Sequence, residues 1–135
     1  MSKYSCYMIT NEDANKTYVG ITNDLKKRIR QHSGELVGGA KSTSGKGLWH
    51  YVCVISGFPT DTLARQFEWA LHHCKPRRYG VIGRIKSLQE LLAKAKWTSK
   101  ADRVDPSLLK VTWHENSYQV ELHPSILVEN SSINE

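Results

Sequence analysis

Tyr18-Val19-Gly20, followed by Asp24-Leu25-Lys26-Lys27-Arg28-Ile29-Arg30-Gln31-His32, reads as a short strand running into a strongly basic helix. Arg28 and His32 are four residues apart, so they share one face of that helix. Leu25 and Ile29 are also four apart and face a core. Thr22 or Asn23 is placed to cap a helix starting near Asp24, and Gly34 to stop it. A tyrosine, an arginine and a histidine around one point could hold and cut a phosphodiester.

Working outward, Tyr4 to Thr10 reads as a strand that forms a hairpin with Thr17 to Ile21 across the turn cluster Asn11 to Lys16. The glycine- and serine-rich residues 33–47 read as a flexible loop able to close over a phosphate backbone. Leu48 to Ser56 reads as a third strand, ended by Gly57-Phe58-Pro59. Thr60 or Asp61 opens a second helix, whose stripe Leu63, Phe67, Ala70, Leu71 and Cys74 is core and which Pro76 stops. Glu68 falls about 100° off that stripe. A third helix spans Ile85 to Ala95, with Lys86, Lys94 and Lys96 on its wet face, and Leu108–Trp113 with Tyr118–Leu122 suggests a second hairpin. The expected organisation is a core over 1–80, a helix and hairpin extension packed on that core over 81–128, and a frayed tail over 129–135.

The 135 residues suffice for one domain that folds without disulfides or metal. No apolar run approaches the roughly 20 residues of a membrane span, and the first residues show no signal-peptide stretch. Cys6, Cys53 and Cys74, an odd number without a C-x-x-C pair, fit reduced thiols inside a cell, in nucleus or cytoplasm. Residues 1–80 carry 12 Lys/Arg against 6 Asp/Glu, whereas residues 81–135 carry seven of each. The whole excess of +6 therefore sits in the half that holds the basic helix, which points to a polyanion such as nucleic acid.

Tyr7, Tyr18, Gly20, Arg28, His32 and Glu68 are each ordinary alone. No carboxylate pair is spaced for two metals, and no phosphate-binding G-x-x-x-x-G-K-[ST] loop is present. His72-His73-Cys74 is a poor metal site, because adjacent helical residues point about 100° apart. Together the six residues resemble the GIY-YIG endonuclease superfamily. Ser5-Cys6-Tyr7 stands where that family has Gly-Ile-Tyr, and Tyr18-Val19-Gly20 matches the second half-motif. Arg28-Ile29-Arg30-Gln31-His32-Ser33-Gly34-Glu35-Leu36, Gly38-Gly39-Ala40, Gly57-Phe58-Pro59 and Gln66-Phe67-Glu68-Trp69-Ala70 are similar to the Slx branch, the catalytic subunit of a structure-specific endonuclease. Similarity is close over residues 4–75 and weaker beyond.

The resemblance implies an α/β fold, a small, mainly antiparallel sheet flanked by helices. It implies a metal-dependent endonuclease cutting branched double-stranded DNA (flaps, forks, four-way junctions) in repair or recombination. Catalytic roles fall on Tyr7, Tyr18, Arg28, His32 and Glu68. Glu68 would bind one Mg²⁺ or Mn²⁺ ion, and Arg28 would grip phosphate oxygens. Tyr18 is the favoured base, with Tyr7 orienting the water; His32 is the competing base and takes first a phosphate-side or hydrogen-bonding role. DNA would lie along Lys26, Lys27, Arg30, Lys41 and Lys46.

The chain departs from the branch at Ser33, usually asparagine, and Lys41, usually tryptophan, and has no asparagine between residues 69 and 115. It shows no cysteine-rich RING module, which removes the basis for expecting the family's scaffold subunit. A minimal, stand-alone nuclease, viral or otherwise streamlined, is expected instead, and a homodimer is open. The alternatives are a catalytically inactive nucleic-acid-binding module on the same fold and a sequence-specific nuclease.

Overall fold

The strand β1 (Ser5–Asn11) is buried along nearly its whole length, because both of its faces are covered. Cys6 and Met8 point to one side of the sheet, Tyr7 and Ile9 to the other, as the period of two requires. This computed structural model describes residues 1–14 and 16–131; Asn15 of the expected turn and residues 132–135 of the expected tail lie outside the described residues.

β1 pairs antiparallel with β2 (Thr17–Thr22) and with β3 (Trp49–Ser56). β3 pairs antiparallel with β4 (Lys110–Trp113), and β4 runs parallel to β5 (Leu127–Asn130), giving the order β2-β1-β3-β4-β5. Three α-helices flank this mostly antiparallel sheet: α1 (Leu25–His32), α2 (Asp61–His72) and α3 (Gly80–Leu92). The main core lies between one sheet face and α2 and α3, where Phe58, Phe67 and Trp97 pack ring to ring at 4.8–5.6 Å. Fully burying a side chain such as Phe67 or Leu88 contributes roughly 1.5–3 kcal/mol. On the other face Tyr7, Ile9, Trp49, Tyr51 and Val54 pack under Leu25 and Ile29 of α1. Among the described residues no helix is long and apolar enough to cross a membrane.

Several expectations are corrected. Asp24, rather than Thr22 or Asn23, caps α1: its carboxylate accepts from the Lys27 amide at 3.1 Å, while the Thr22 hydroxyl accepts from the Asp24 amide. Thr60 caps α2 as expected. α3 starts a turn before Ile85, because Val81 already belongs to its buried stripe, and it ends before Ala95, which is exposed. The second hairpin does not form. Asn116–Tyr118 makes a 3-10 turn, and Tyr118, Val120 and Leu122 satisfy their alternating apolarity by packing sideways on the main core. The partner of β4 is instead β5, so Glu129 and Asn130 are strand residues rather than tail. α3 and β4 also share the core and sheet of the first 80 residues.

The glycine-rich loop is anchored rather than loose. Trp49 Nε1 donates to the Thr43 carbonyl at 3.1 Å, and the Trp49 amide donates to Ser33 Oγ at 2.9 Å. Gly38 sits at φ +105°, and a Cβ on Gly39 would collide with the Gln31 carbonyl oxygen, so this loop lies directly on the end of α1.

Candidate active site

Tyr7 and Gly20 are direct cross-strand partners on β1 and β2. A Cβ on Gly20 would meet the Tyr7 hydroxyl, and Tyr7 Cζ at 2.6 Å. Gly20 is thus required by the phenol packed across it and not by an unusual backbone angle.

The Tyr7 hydroxyl is the centre of a directed hydrogen-bond chain. Thr43 Oγ1 donates to the Ala40 carbonyl at 2.9 Å, so its oxygen is left to accept from His32 Nδ1 at 2.9 Å. That assigns the ring proton to Nδ1 and leaves Nε2 as an acceptor. Tyr7 O–H therefore donates to His32 Nε2 at 2.7 Å, and Arg28 Nε–H donates to the Tyr7 oxygen at 3.1 Å. Arg28 Nη1 also donates to the Gly38 carbonyl at 2.8 Å and to Gln31 Oε1 at 3.1 Å. The guanidinium is held at two of its nitrogens by β1, α1 and the glycine loop.

The charges follow from these neighbours. Burial, helped by the Arg28 charge, lowers the His32 pKa to about 4, so the imidazole is neutral at pH 7. Burial pushes Tyr7 up to about 12 against the opposing pull of Arg28. Burial works against the Arg28 charge, but the Tyr7 and Tyr18 oxygens more than offset it and raise its pKa. Tyr18 is only half-buried, with its ring 4.9 Å from that of His32 and 6.4 Å from that of Tyr7.

Glu68 reaches this cluster from the other sheet face, past the edge strand β2. His72, one turn further along α2, donates from Nε2 to the Val19 carbonyl at 2.9 Å and lies 3.6 Å from Glu68 Oε2. Its ring is 6.4 Å from Tyr18. Cys6, beside Tyr7, has its pKa raised by burial and then by the Glu68 charge, which places that charge near the start of β1. Glu68 keeps 25% of its side-chain surface exposed. Among the described residues no group of three His, Cys, Asp or Glu could enclose a metal ion. A lone, partly exposed carboxylate suits Mg²⁺, which keeps most of its water, and does not suit a closed zinc site.

Tyr7, Tyr18, Arg28 and His32 form one cluster, which Glu68 adjoins through His72, and Tyr7 has surroundings different from those expected. Tyr7 is 0% exposed and its hydroxyl serves Arg28 and His32, so it orients the guanidinium; holding a water would need a solvent-facing hydroxyl. His32, at 2% exposure with both ring nitrogens engaged, has the geometry of the hydrogen-bonding alternative rather than of the phosphate-side one. Thr43, Gln31 and His72 escaped the sequence reading. For His72 the signal was its i, i+4 spacing from Glu68 and for Gln31 its i, i+3 spacing from Arg28; Thr43 left none. Lys26, Lys27, Arg30, Lys41 and Lys46 are all exposed, with Arg30 paired to Glu35 at 3.0 Å and Lys46 donating to the Ser42 carbonyl at 2.8 Å.

Residues 3–77 match the family described as the GIY-YIG catalytic domain. The chain is 41% identical over 78 residues to the structure-specific endonuclease subunit slx1 of Schizosaccharomyces japonicus, covering 56% of this chain and 29% of that protein. It is 47% identical over 70 residues to the structure-specific endonuclease subunit SLX1 of Cryptococcus neoformans, covering 50% and 14%. Against the structure-specific endonuclease subunit SLX1 homolog of Drosophila ananassae the identity is 32% over 137 residues, covering 86% and 44%. The chain spans less than half the length of each of these relatives.

Proposed function

The chain belongs to the GIY-YIG family, and from that premise we propose that it is a metal-dependent endonuclease hydrolysing phosphodiesters in branched DNA such as flaps, forks and four-way junctions. The observation that carries this reading is the fixed guanidinium. Arg28, gripped by Tyr7, Gln31 and Gly38 beside the half-buried Tyr18, is a preorganised phosphate clamp. Groups held in place before the reaction stabilise developing charge without reorganising, and losing one such contact typically costs on the order of 10²–10³ in rate.

The roles divide as follows. Arg28 stabilises the charge on the pentavalent phosphorus. Neutral His32 accepts from Tyr7 and thereby keeps the Tyr7 lone pairs turned to Arg28. Tyr18, the more accessible phenol, takes the proton of the attacking water. A phenol accepts that proton only as its phenolate, and a free phenol, with pKa near 10, is ionised in only about one molecule in a thousand at pH 7. Glu68, 3.6 Å from His72, would hold Mg²⁺ or Mn²⁺, which would supply Lewis-acid relief of the leaving oxygen. Structure-specific scission is supported by the names of the relatives, and the exposed lysines and Arg30 suit contact with a phosphate backbone.

The test is cleavage of labelled 5′ flaps, four-way junctions and linear duplex in Mg²⁺ and in EDTA, beside Glu68→Ala. Cutting of branched substrates by the parent alone, abolished by EDTA, is the expected result. No cutting in either Mg²⁺ or Mn²⁺ would make the chain a binding module. Unimpaired cutting by Glu68→Ala would remove the metal role, and discrete sites in plain duplex would favour a sequence-specific enzyme.

A further inference from the structure

A second basic cluster lies beside the Glu68 edge of the sheet. The turn into α3 lines a small pocket of about 90 Å³ with His72, Arg77, Arg78, Tyr79, Arg84 and Ser87. That is far below the roughly 300–1,000 Å³ of sites for drug-sized ligands, so only a compact group fits.

The three arginines are not equivalent. Arg78 spends its charge on Glu90 through two hydrogen bonds of 2.7 and 3.0 Å, and a third at 3.2 Å ties it to Ser87. Arg84 donates from Nε to Thr17 Oγ1 at 3.1 Å, which brings its guanidinium to the start of β2, next to Tyr18. Arg77 lies 5.6 Å from the centroid of the Tyr79 ring. Among the described residues no carboxylate pairs with Arg77 or Arg84.

Two guanidiniums lining one pocket, one of them half-buried, with no carboxylate paired to either among the described residues, repel each other in the free protein. Burial first, and then the Arg77 charge, lowers the pKa of Arg84. A bound anion removes that repulsion. The start of α3 adds to the same field: Tyr79 offers no side-chain cap, the first turn has no acidic residue, and a Cβ on Gly80 would meet nothing within 4 Å. The pocket is continuous with the candidate active site through His72, which also touches Glu68 and the Val19 carbonyl.

We propose that Arg77 and Arg84 form a phosphate-binding subsite that holds a backbone phosphate of the DNA flanking the one to be cut. The proposal rests on the nuclease reading above. The subsite would anchor the strand on the far side of β2 while Arg28 grips the reacting phosphate on the near side, which fixes the backbone across Glu68.

The experiment uses the full chain with Glu68→Gln, which prevents cutting, and measures affinity for a labelled four-way junction between 50 and 200 mM salt. Arg77 is exposed and Arg84 half-buried, so Arg77→Gln is the variant used and should leave thermal unfolding unchanged. Arg77→Gln should weaken binding several-fold and flatten the slope of log K against log salt by about 0.9, the value of one lost phosphate contact. The side-chain NMR signals of Arg77 and Arg84 should shift on adding DNA. Parental affinity and slope in Arg77→Gln would overturn the subsite while leaving the nuclease reading intact. Shifts with inorganic phosphate alone, with DNA affinity independent of Arg77, would assign the pocket to a free phosphate and overturn the backbone role. A parent chain that binds no branched DNA would remove the nuclease reading and the subsite with it.

Discussion

Tyr7 and Tyr18 are both tyrosines of the same half-motif pair, yet their environments separate them. Tyr7 joins Arg28 to His32 in the interior, so Tyr7→Phe leaves a buried guanidinium N–H and an imidazole nitrogen unpaired. We expect it to abolish cutting and also to lower stability by about 1–3 kcal/mol in urea unfolding. Tyr18→Phe should abolish cutting with little change in stability. Equal stability of the two variants would refute the division of roles. Gly20→Ala is the smallest informative change: its new methyl lies against the Tyr7 phenol, and displacing that ring should lower kcat at least tenfold and stability by about 1–3 kcal/mol. His32 also links pH to stability. Its folded pKa of about 4 lies below its ordinary value near 6.5, so the unfolded chain binds the proton first. The contribution is complete above about pH 6.5 and is lost as pH falls towards 4. Urea unfolding at pH 7 and 4.5 should show a steeper loss in the parent than in His32→Gln.

At the scale of elements, α1 has only two turns and depends on its cap and on the glycine loop. Asp24→Ala should cost about 1 kcal/mol, read by urea unfolding, because the first-turn amide of Lys27 loses its acceptor. The basic helix itself was legible from Leu25, Ile29, Arg28 and His32, because i, i+4 spacing is a local property. The cap was not, since Thr22, Asn23 and Asp24 all have suitable side chains and the choice was made by Thr22 turning inward to bond the Asp24 amide. Thr43 was equally silent in the sequence: eleven residues separate it from His32, and only the folded loop brings them to 2.9 Å. The expected second hairpin failed for a related reason. Tyr118, Val120 and Leu122 alternate like a strand, but an apolar alternation is satisfied by any apolar surface, and the main core offered one.

For the whole molecule, the excess of positive charge in the first 80 residues predicts a salt-sensitive association. If about five phosphates are neutralised, log K for DNA should fall with log salt at a slope near −4 to −5. Fluorescence anisotropy between 50 and 200 mM salt would measure it, and a slope near zero would contradict a backbone-led interface. The exposed Arg30–Glu35 pair competes with DNA for one of those cations, so Glu35→Gln should strengthen binding slightly. Two sheet faces with different coverings make the site possible: α1 and its loop fix Arg28 on one side, and α2 carries Glu68 past the edge strand from the other.

By itself the sequence determined the residue types of the site and the periodicity of its strands and helices, which are carried by local spacing and by the chemistry of single side chains. The mainly antiparallel α/β class followed from the resemblance to the GIY-YIG superfamily. Only the tertiary structure decided that Tyr7 is enclosed, that both ring nitrogens of His32 are engaged in the interior, and that His72 bonds the Val19 carbonyl of the edge strand. Burial and hydrogen-bond direction depend on groups distant in the chain, and those two quantities set which phenol faces solvent and which protons are held.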